Sequence, residues 1–511
     1  MNSNKDNAGY FSGMPVYDGR LTADLNSDFT LPDYQSEIRR LLGVRAQIAP
    51  EGEYLGNGNA ELSGKVIYKA TYVGADGELY CVPLSESYSF SLPFDLTSHA
   101  VSVDDVTVFS QIRSESVSAR VLGPRKLSVK SKLSCKALAL TPMLHTPEAS
   151  GAIPQSSLEH LMGEADSLVP KRLRLEPLAL NDTLPLDQSA DNVRAVTCDS
   201  VAIVNDCSAS GGRVRVSGEV ILKILYCNDA ESDHPLCATR KLPFSASAYC
   251  EDIDTDCDVS ADVYITDEQI LVDDNGISSE LILSACVNVR KNERVPFVAD
   301  AYSTDFATES IFKDVQVMSA LKSVNGNLTQ NELRSLDELK LPHDFKIIDV
   351  FARARADELL TSESGRLSLC GECTYFVLCF CDDEYLVKEL SFPFRYELDS
   401  RYTADTDNEL HYCADACAVS ARARHDGERL FIDGELNIRI SLEKKKCFQM
   451  LSKISAGERL VKSSGAMTLC YPDRGESLWS VAKRYGEPIS KLKKQNSLAD
   501  NDISKKKYLV I

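Results

Sequence analysis

The sequence predicts a mainly β protein: three tandem antiparallel sandwich-like repeats, followed by a small strand–helix–helix–strand unit. Three observations carry this. Long stretches alternate apolar and polar residues with no regular helical pattern between them. One set of landmarks recurs three times in the same order. The last forty residues change sign of charge and take up a helical period.

The landmarks are quickly found. "LPF" stands at Leu92–Phe94 and Leu242–Phe244, and "FPF" at Phe392–Phe394, so Pro93, Pro243 and Pro393 recur at a fixed spacing. Upstream of each runs an alternating strand with an internal glycine: "ELSGKVIYKATYV" around Gly64, "RVRVSGEVILKILYC" around Gly218 and "RLSLCGECTYFVLCFC" around Gly371. Further upstream a proline follows an apolar residue, at Pro32, Pro185 and Pro342. Downstream, "VSAR" is repeated verbatim at Val117–Arg120 and Val419–Arg422. In the second copy Val214, Val216, Val220, Leu222, Ile224 and Tyr226 share a face with Gly218, while Arg213, Arg215, Ser217, Glu219 and Lys223 share the other. A period of two marks a half-buried strand. An in-strand glycine signals a bulge or a close backbone approach. The Pro-Phe pair is expected to close its strand, since proline has no N–H for a central ladder.

These repeats divide the chain into 1–168, 169–322 and 323–464, with the small unit at 465–511. Linkers are expected near Thr141–Pro170 and Ser323–Leu341, with a short helix at Ser156–Met162.

Composition narrows the function. The 511 residues carry a formal charge of −20, with ordinary apolar and charged fractions. From Tyr471 onward nine Lys or Arg face five Asp or Glu, a charge of +4, which leaves −24 on the preceding residues. Such a body is repelled by nucleic acid and by anionic lipid, so neither is an expected partner. The N-terminal stretch has no apolar core after a basic start, and no run is long enough to span a bilayer. A cytoplasmic protein is therefore expected. Seventeen cysteines are then read as reduced, strand-packed thiols.

No catalytic constellation emerges, and neither a cofactor nor a metal is expected. "CGEC" at Cys370–Cys373 has the spacing of a redox or zinc pair, but the equivalent positions hold Ser63 and Val66, and Ser217 and Val220. Three apart on a strand, the two thiols face opposite ways. "CFC" at Cys379–Cys381 puts two thiols on one face without a second pair at zinc spacing. The acidic runs Cys250–Asp258 and Asp405–Glu409 lack the glycine and terminal glutamate of a calcium loop and read as solvated loops. The glycine loops, nucleophile elbow and zinc-helix motifs of common enzymes are missing.

The C-terminal unit reads element by element. In "GESLWSVAKRYG", Ser477 is an N-cap, Leu478, Val481, Ala482 and Tyr485 recur on one face, and Gly486 ends the helix. "ISKLKKQN" makes a second helix and "KKKYLVI" a closing strand. Gly475, Glu476, Ser477, Leu478, Trp479, Leu492 and Asn496 together resemble the motif of LysM domains. That resemblance implies a βααβ fold and a groove for N-acetylglucosamine-containing glycan between two loops. On this chain the groove residues would be Gly475, Glu476, Ser477, Leu478 and Trp479 with Asn496, Ser497 and Leu498. Pro472 departs from the pattern, and so do Lys505 and Lys506, which replace a Pro-Gly. The lysines of Lys505–Lys507 suit an acidic protein surface better than a neutral sugar polymer.

The repeats, with their "G-x-V" strands, "YC" or "TYV" strand ends, "PF" pairs and "DAYSTDF" at Asp300–Phe306, resemble SPOCS domains. Three such units before a LysM module are similar to the SipL-like family of spore coat morphogenesis proteins. The resemblance implies a non-enzymatic scaffold in the mother-cell cytoplasm, recruited to the forespore surface by a coat morphogenetic ATPase of the SpoIVA type that binds the LysM module. The alternative is a peptidoglycan-binding protein of the cell wall or spore cortex, with the repeats as a display stalk.

Overall fold

A computed structural model describes the chain from Gly9 to Ile511, apart from residues 57, 97–101, 152, 187–192, 229–231, 252, 274–275, 401, 403–408, 462–467 and 505. Asp405 therefore lies outside the described residues, with most of its acidic run.

Three sandwiches follow one another. The first comprises β1 (Tyr10–Thr30), β2 (Ile38–Gly56), β3 (Asn59–Gly74), β4 (Leu79–Pro93), β5 (Thr107–Gly123) and β6 (Lys126–Leu144). Its meander β2-β3-β4 packs on a second sheet of order β1-β6-β5, in which the last strand returns to pair with the first. A short β7 (Glu148–Ser150) leads into the second sandwich: β8 (Leu158–Arg174), β9 (Leu178–Leu184), β10 (Val193–Ser210), β11 (Arg213–Asn228), β12 (Leu236–Tyr249), β13 (Asp258–Asp273) and β14 (Gly276–Ser303). Its meander is β10-β11-β12, and β14 pairs with β13, β8 and β9. The third has β15 (Phe306–Ser335), α1 (Leu336–Leu339), β16 (Lys346–Thr361), β17 (Leu367–Cys381), β18 (Glu384–Glu397), β19 (Glu409–His425) and β20 (Arg429–Arg459), again as a meander, β16-β17-β18, over a sheet of order β15-β20-β19. All pairings are antiparallel except β7 on β20.

The alternation read from the sequence is the core. On β11, Val214, Val216, Val220, Leu222 and Ile224 are fully buried. Gly64, Gly218 and Gly371 all lie on the middle strand of their meander, and one relationship explains them. Each faces a bulge in the strand before it, between Pro50 and Gly52, Val204 and Asp206, and Ala356 and Glu358. Each is also covered by a ring from the strand after it. A Cβ would stand 2.5 Å from the Tyr88 hydroxyl at Gly64, 2.7 Å from Phe244 Cζ at Gly218 and 2.5 Å from Phe394 Cζ at Gly371. No real Cβ fits there, so bulge and ring together require glycine.

This register corrects the proline landmark. Phe244 and Phe394 pair with their glycines, but in the first unit the paired residue is Tyr88, and Pro93 lies further along opposite Asn59. Pro93 does end its strand. Pro243 and Pro393 sit inside β12 and β18, which are edge strands with a neighbour on one side only, so a missing N–H breaks no ladder. The expected linkers are also strands. Residues 158–174 form β8 and 306–335 form β15, so the boundaries at 168/169 and 322/323 fall inside strands. The expected helix at Ser156–Met162 is a single 3-10 turn at Gln155–Ser157 that runs into β8. Met162 and Leu161 alternate along that strand and offer no helical apolar face.

The three units do not form a stalk. They close into a ring about a pseudo-threefold axis. The third meander strand of each unit touches the first meander strand of the next, β4 on β10, β12 on β16 and β18 on β2, and the strands β1, β8 and β15 meet one another. Two of the apolar clusters take members from all three units. Phe11, Phe297 and Val317 belong to one, and Leu79, Leu225 and Leu378 to the other.

Buried charges hold the seams. Lys69 of the first unit reaches Glu268 of the second at 2.6 Å and the Cys198 carbonyl at 2.9 Å. Arg290 of the second unit lies between Asp258 of its own unit and Glu443 of the third, each at 2.8 Å. His411 of the third holds Asp18 of the first at 2.7 Å. Asp258 thus serves a seam, although the run that contains it reads as a solvated loop, and Ile253 in the same run is buried in the core. Removing one partner of such a pair leaves an uncompensated buried charge.

Candidate functional site

The C-terminal module consists of β21 (Leu469–Cys470), α2 (Leu478–Tyr485), α3 (Ile489–Asn496) and β22 (Leu509–Val510), with β21 antiparallel to β22. The Ser477 hydroxyl accepts from the Ser480 N–H at 3.1 Å and starts α2; Gly486, at φ +60°, ends it. Leu478, Val481 and Ala482 point inward to Leu492, Ile503 and Leu509.

A second face of α2, four residues apart at Trp479 and Lys483, points out of the module and onto the second sandwich. The indole Nε1 of Trp479 donates to Asp300 Oδ2 at 2.8 Å, and Lys483 Nζ lies 2.7 and 2.8 Å from the two oxygens of the same carboxylate. The ring of Tyr302 meets the indole edge-on at 4.9 Å, and its hydroxyl donates to the Glu487 carbonyl at 2.7 Å. Asp300 is aimed at the module by a bulge, since β14 and β8 shift register between Val298 and Asp300. Leu460 closes over Gly486. The module is therefore seated on the end of β14, and Asp300–Phe306 is the seat.

The predicted groove residues fall into three groups. Leu478 is core, and Leu498 packs on the same cluster. Trp479 belongs to the seat and not to an open groove. Asn496 is an internal staple: its amide donates to Leu492 O and Val510 O, and its carbonyl accepts from the Val510 N–H at 2.6 Å. Gly475, Ser477 and Ser497 are exposed, and Glu476 is turned in to pair with Arg484. The seat residues Asp300, Tyr302 and Lys483 were not singled out as site residues. The local signals are the "DAYSTDF" run that holds Asp300 and Tyr302 and the strand face that the two share.

Away from the seat, α3 and the last loop present Lys494 and Lys507 to solvent. Lys491 is tied to Glu487 at 2.7 Å and Lys506 to the Asn496 carbonyl at 2.9 Å. Lys505 lies outside the described residues. Tyr471 and Tyr508 stand exposed beside one another, ring centroids 6.3 Å apart.

A family model described as "SipL, SPOCS domain" matches residues 191–272, and a model of the LysM domain matches residues 474–511. The chain carries a SPOCS domain and a LysM domain. The SPOCS match spans β10 to β13 of the middle unit, and the first and third units repeat that strand order. The LysM match begins at Arg474 and takes in both helices, the lysine loop and β22. No curated protein matches the chain. The two domains place it in a sporulation context with a module of the peptidoglycan-binding type. No helix among the described residues is long and apolar enough to cross a membrane.

The Lys69, Cys198 and Glu268 cluster joins the first unit to the second. In the Lys69–Cys198–Glu268 cluster, burial raises the Cys198 thiol well above its usual range, and burial of Glu268 is outweighed by Lys69, so the carboxylate stays charged. A protonated thiol beside an engaged carboxylate is a poor nucleophile. Cys373 and Cys379 are fully buried and pushed by burial to about 11 and about 12, and none of the seventeen cysteines is in a disulfide. Among the described residues no group of three His, Cys, Asp or Glu is placed to hold a metal ion.

Proposed function

We propose that this protein is a non-enzymatic scaffold of endospore coat assembly, and that its LysM domain docks a morphogenetic ATPase of the SpoIVA type. The observation that carries the reading is the seating of the LysM domain. Asp300 and Tyr302 hold α2 against the SPOCS body, so the domain is a fixed part of a larger particle and presents Lys494 and Lys507 outward. A rigid, basic face on an acidic body suits an acidic protein partner and steers its approach. The buried states of the lysine, carboxylate and thiol clusters support a role without catalysis. In this reading the protein acts in the mother cell and is drawn to the forespore surface by the ATPase.

Peptidoglycan or another N-acetylglucosamine-containing glycan is the second reading. It draws on the LysM match and on exposed Gly475, Ser477 and Ser497 at the loops where such domains hold sugar. A fluorescent fusion followed through sporulation tests the two. The scaffold reading expects a shell around the forespore that is lost when the ATPase gene is deleted. The glycan reading expects a signal at the wall or cortex that survives the deletion.

A further inference from the structure

We propose that the seam between the third and first units is a binding site for a small oxyanion of the phosphate class, held by Arg113, Lys136 and Arg353. Two adjoining cavities lie there. One of about 280 Å³ sits on the pseudo-threefold axis and is lined by Arg113 and Arg353. The other, of about 110 Å³, is lined by Arg113 and Lys136, and the two share Gln111 and Ala356.

None of these three cations makes an ion pair among the described residues. Arg353 donates to the Ser114 carbonyl and Arg113 to the Ala356 carbonyl at 2.7 Å and to Gln111 at 2.7 Å; no carboxylate among the described residues pairs with either. Lys136 rests on the ring of Tyr412, 3.4 Å from its centroid. The acids nearby are paired elsewhere: Asp18, which also acts on Lys136, with His411, Glu443 with Arg290, Glu115 with Arg20 and Lys132, Asp357 with Arg355, Asp415, which also feels Arg113, with Arg439, and Asp262 with the Asn288 amide. Burial holds the pKa of Lys136 below its ordinary value, and burial together with Arg355 does the same to Arg353. A charge that its surroundings disfavour gains most from a counter-ion. The Nε of Arg113 and the hydroxyl of Ser114 are also buried without a partner.

The repeats supply an internal control. Counting from the bulges of β5, β13 and β19, Arg113 is equivalent to Tyr264 and Cys417, and the partners of the residues two earlier are Lys136, Cys286 and Arg439. Counting from the bulges of β2, β10 and β16, Arg353 is equivalent to Gln47 and Val201. The fold is built twice without this cluster, so the cluster is not a requirement of the fold. Guanidinium groups suit a tetrahedral oxyanion because they present paired donors.

The test is calorimetric titration of the full chain with inorganic phosphate at constant ionic strength, with citrate as a second arm. The expected result is saturable phosphate binding with a dissociation constant of about 1 mM or below. Arg353→Gln and Lys136→Met are each expected to weaken it tenfold or more. In phosphate-free chloride buffer their thermal midpoints should not fall, because each removes a buried charge that has no ion pair. Absence of saturable heat with the unmodified protein up to about 10 mM phosphate, unchanged affinity in Arg353→Gln, or citrate binding as tight as phosphate would each overturn the assignment.

Discussion

Trp479 and Asp300 are 179 residues apart and joined by a 2.8 Å hydrogen bond from the indole to the carboxylate, which Lys483 grips from the other side. The bond joins the LysM domain to the second SPOCS-like unit, and it occupies the only tryptophan in the chain.

That tryptophan reports on the seat. Asp300→Ala strands the indole N–H and the Lys483 ammonium, a loss of about 1–3 kcal/mol at the contact. The expected outcome is a red shift of tryptophan emission and stronger quenching by acrylamide, with the far-ultraviolet circular dichroism of the body unchanged. Asp300→Asn keeps an acceptor for the indole and should give a smaller shift. Identical emission in all three proteins would show that the seat does not form.

The pair His411–Asp18 makes the third-to-first seam pH-dependent. Burial opposes the charge on His411, but the hydrogen bond it donates to Asp18 and the neighbouring Cys413 and Glu443 outweigh it and raise its pKa from 6.5 to about 10. A group raised on folding stabilises fully below its unfolded pKa and loses that contribution as pH climbs through the folded one. The window therefore runs from about 6.5 to about 10. His411→Gln should lower the urea stability by about 1–3 kcal/mol at neutral pH, below the cost for a fully buried pair because Asp18 is partly exposed. The gap to the unmodified protein should narrow above the window.

Glycine substitutions test the bulge-and-ring register. Gly218→Ala and Gly371→Ala push a methyl into the rings of Phe244 and Phe394 and should each cost about 1–3 kcal/mol. Gly43→Ala, which meets nothing within 4 Å, should stay within about 0.5 kcal/mol. Equal midpoints for all three would contradict the register.

The thiols should differ in reactivity by burial. With iodoacetamide at mildly alkaline pH, exposed Cys447 is expected to label first. Cys373 and Cys379, buried and pushed to about 11 and about 12, should label only on unfolding. Peptide mass spectrometry reads the order, and early modification of Cys373 would count against a structural role.

Much of the architecture is legible in single strands. Period-two alternation gives the cores, and Gly64, Gly218 and Gly371 mark one position because bulge and ring impose the same local demand three times. Helix α2 is legible from Ser477 and Gly486, which cap it by local hydrogen bonds. The proline landmark misleads at Pro93 because an edge strand accepts proline at many places, so its position is weakly constrained. The ring is not legible, because its seams join residues such as Asp18 and His411 that have no local reason to be recognised as a pair. The seat fails for the same reason: Trp479 has the pattern of a helix residue whether it faces its own core, a groove or another domain.

We propose that the LysM domain, held on the SPOCS body, docks a SpoIVA-type ATPase through its exposed lysines. The most direct measurement is binding of the full-length protein to the SpoIVA-type ATPase of the same organism, beside Lys494→Glu/Lys507→Glu and beside chitin oligomers as the competing ligand. The account predicts saturable, salt-sensitive binding of the ATPase, a loss of tenfold or more in the charge-reversed protein, and no comparable retention of the oligomers. Tight binding of the oligomers with no retention of the ATPase would contradict it.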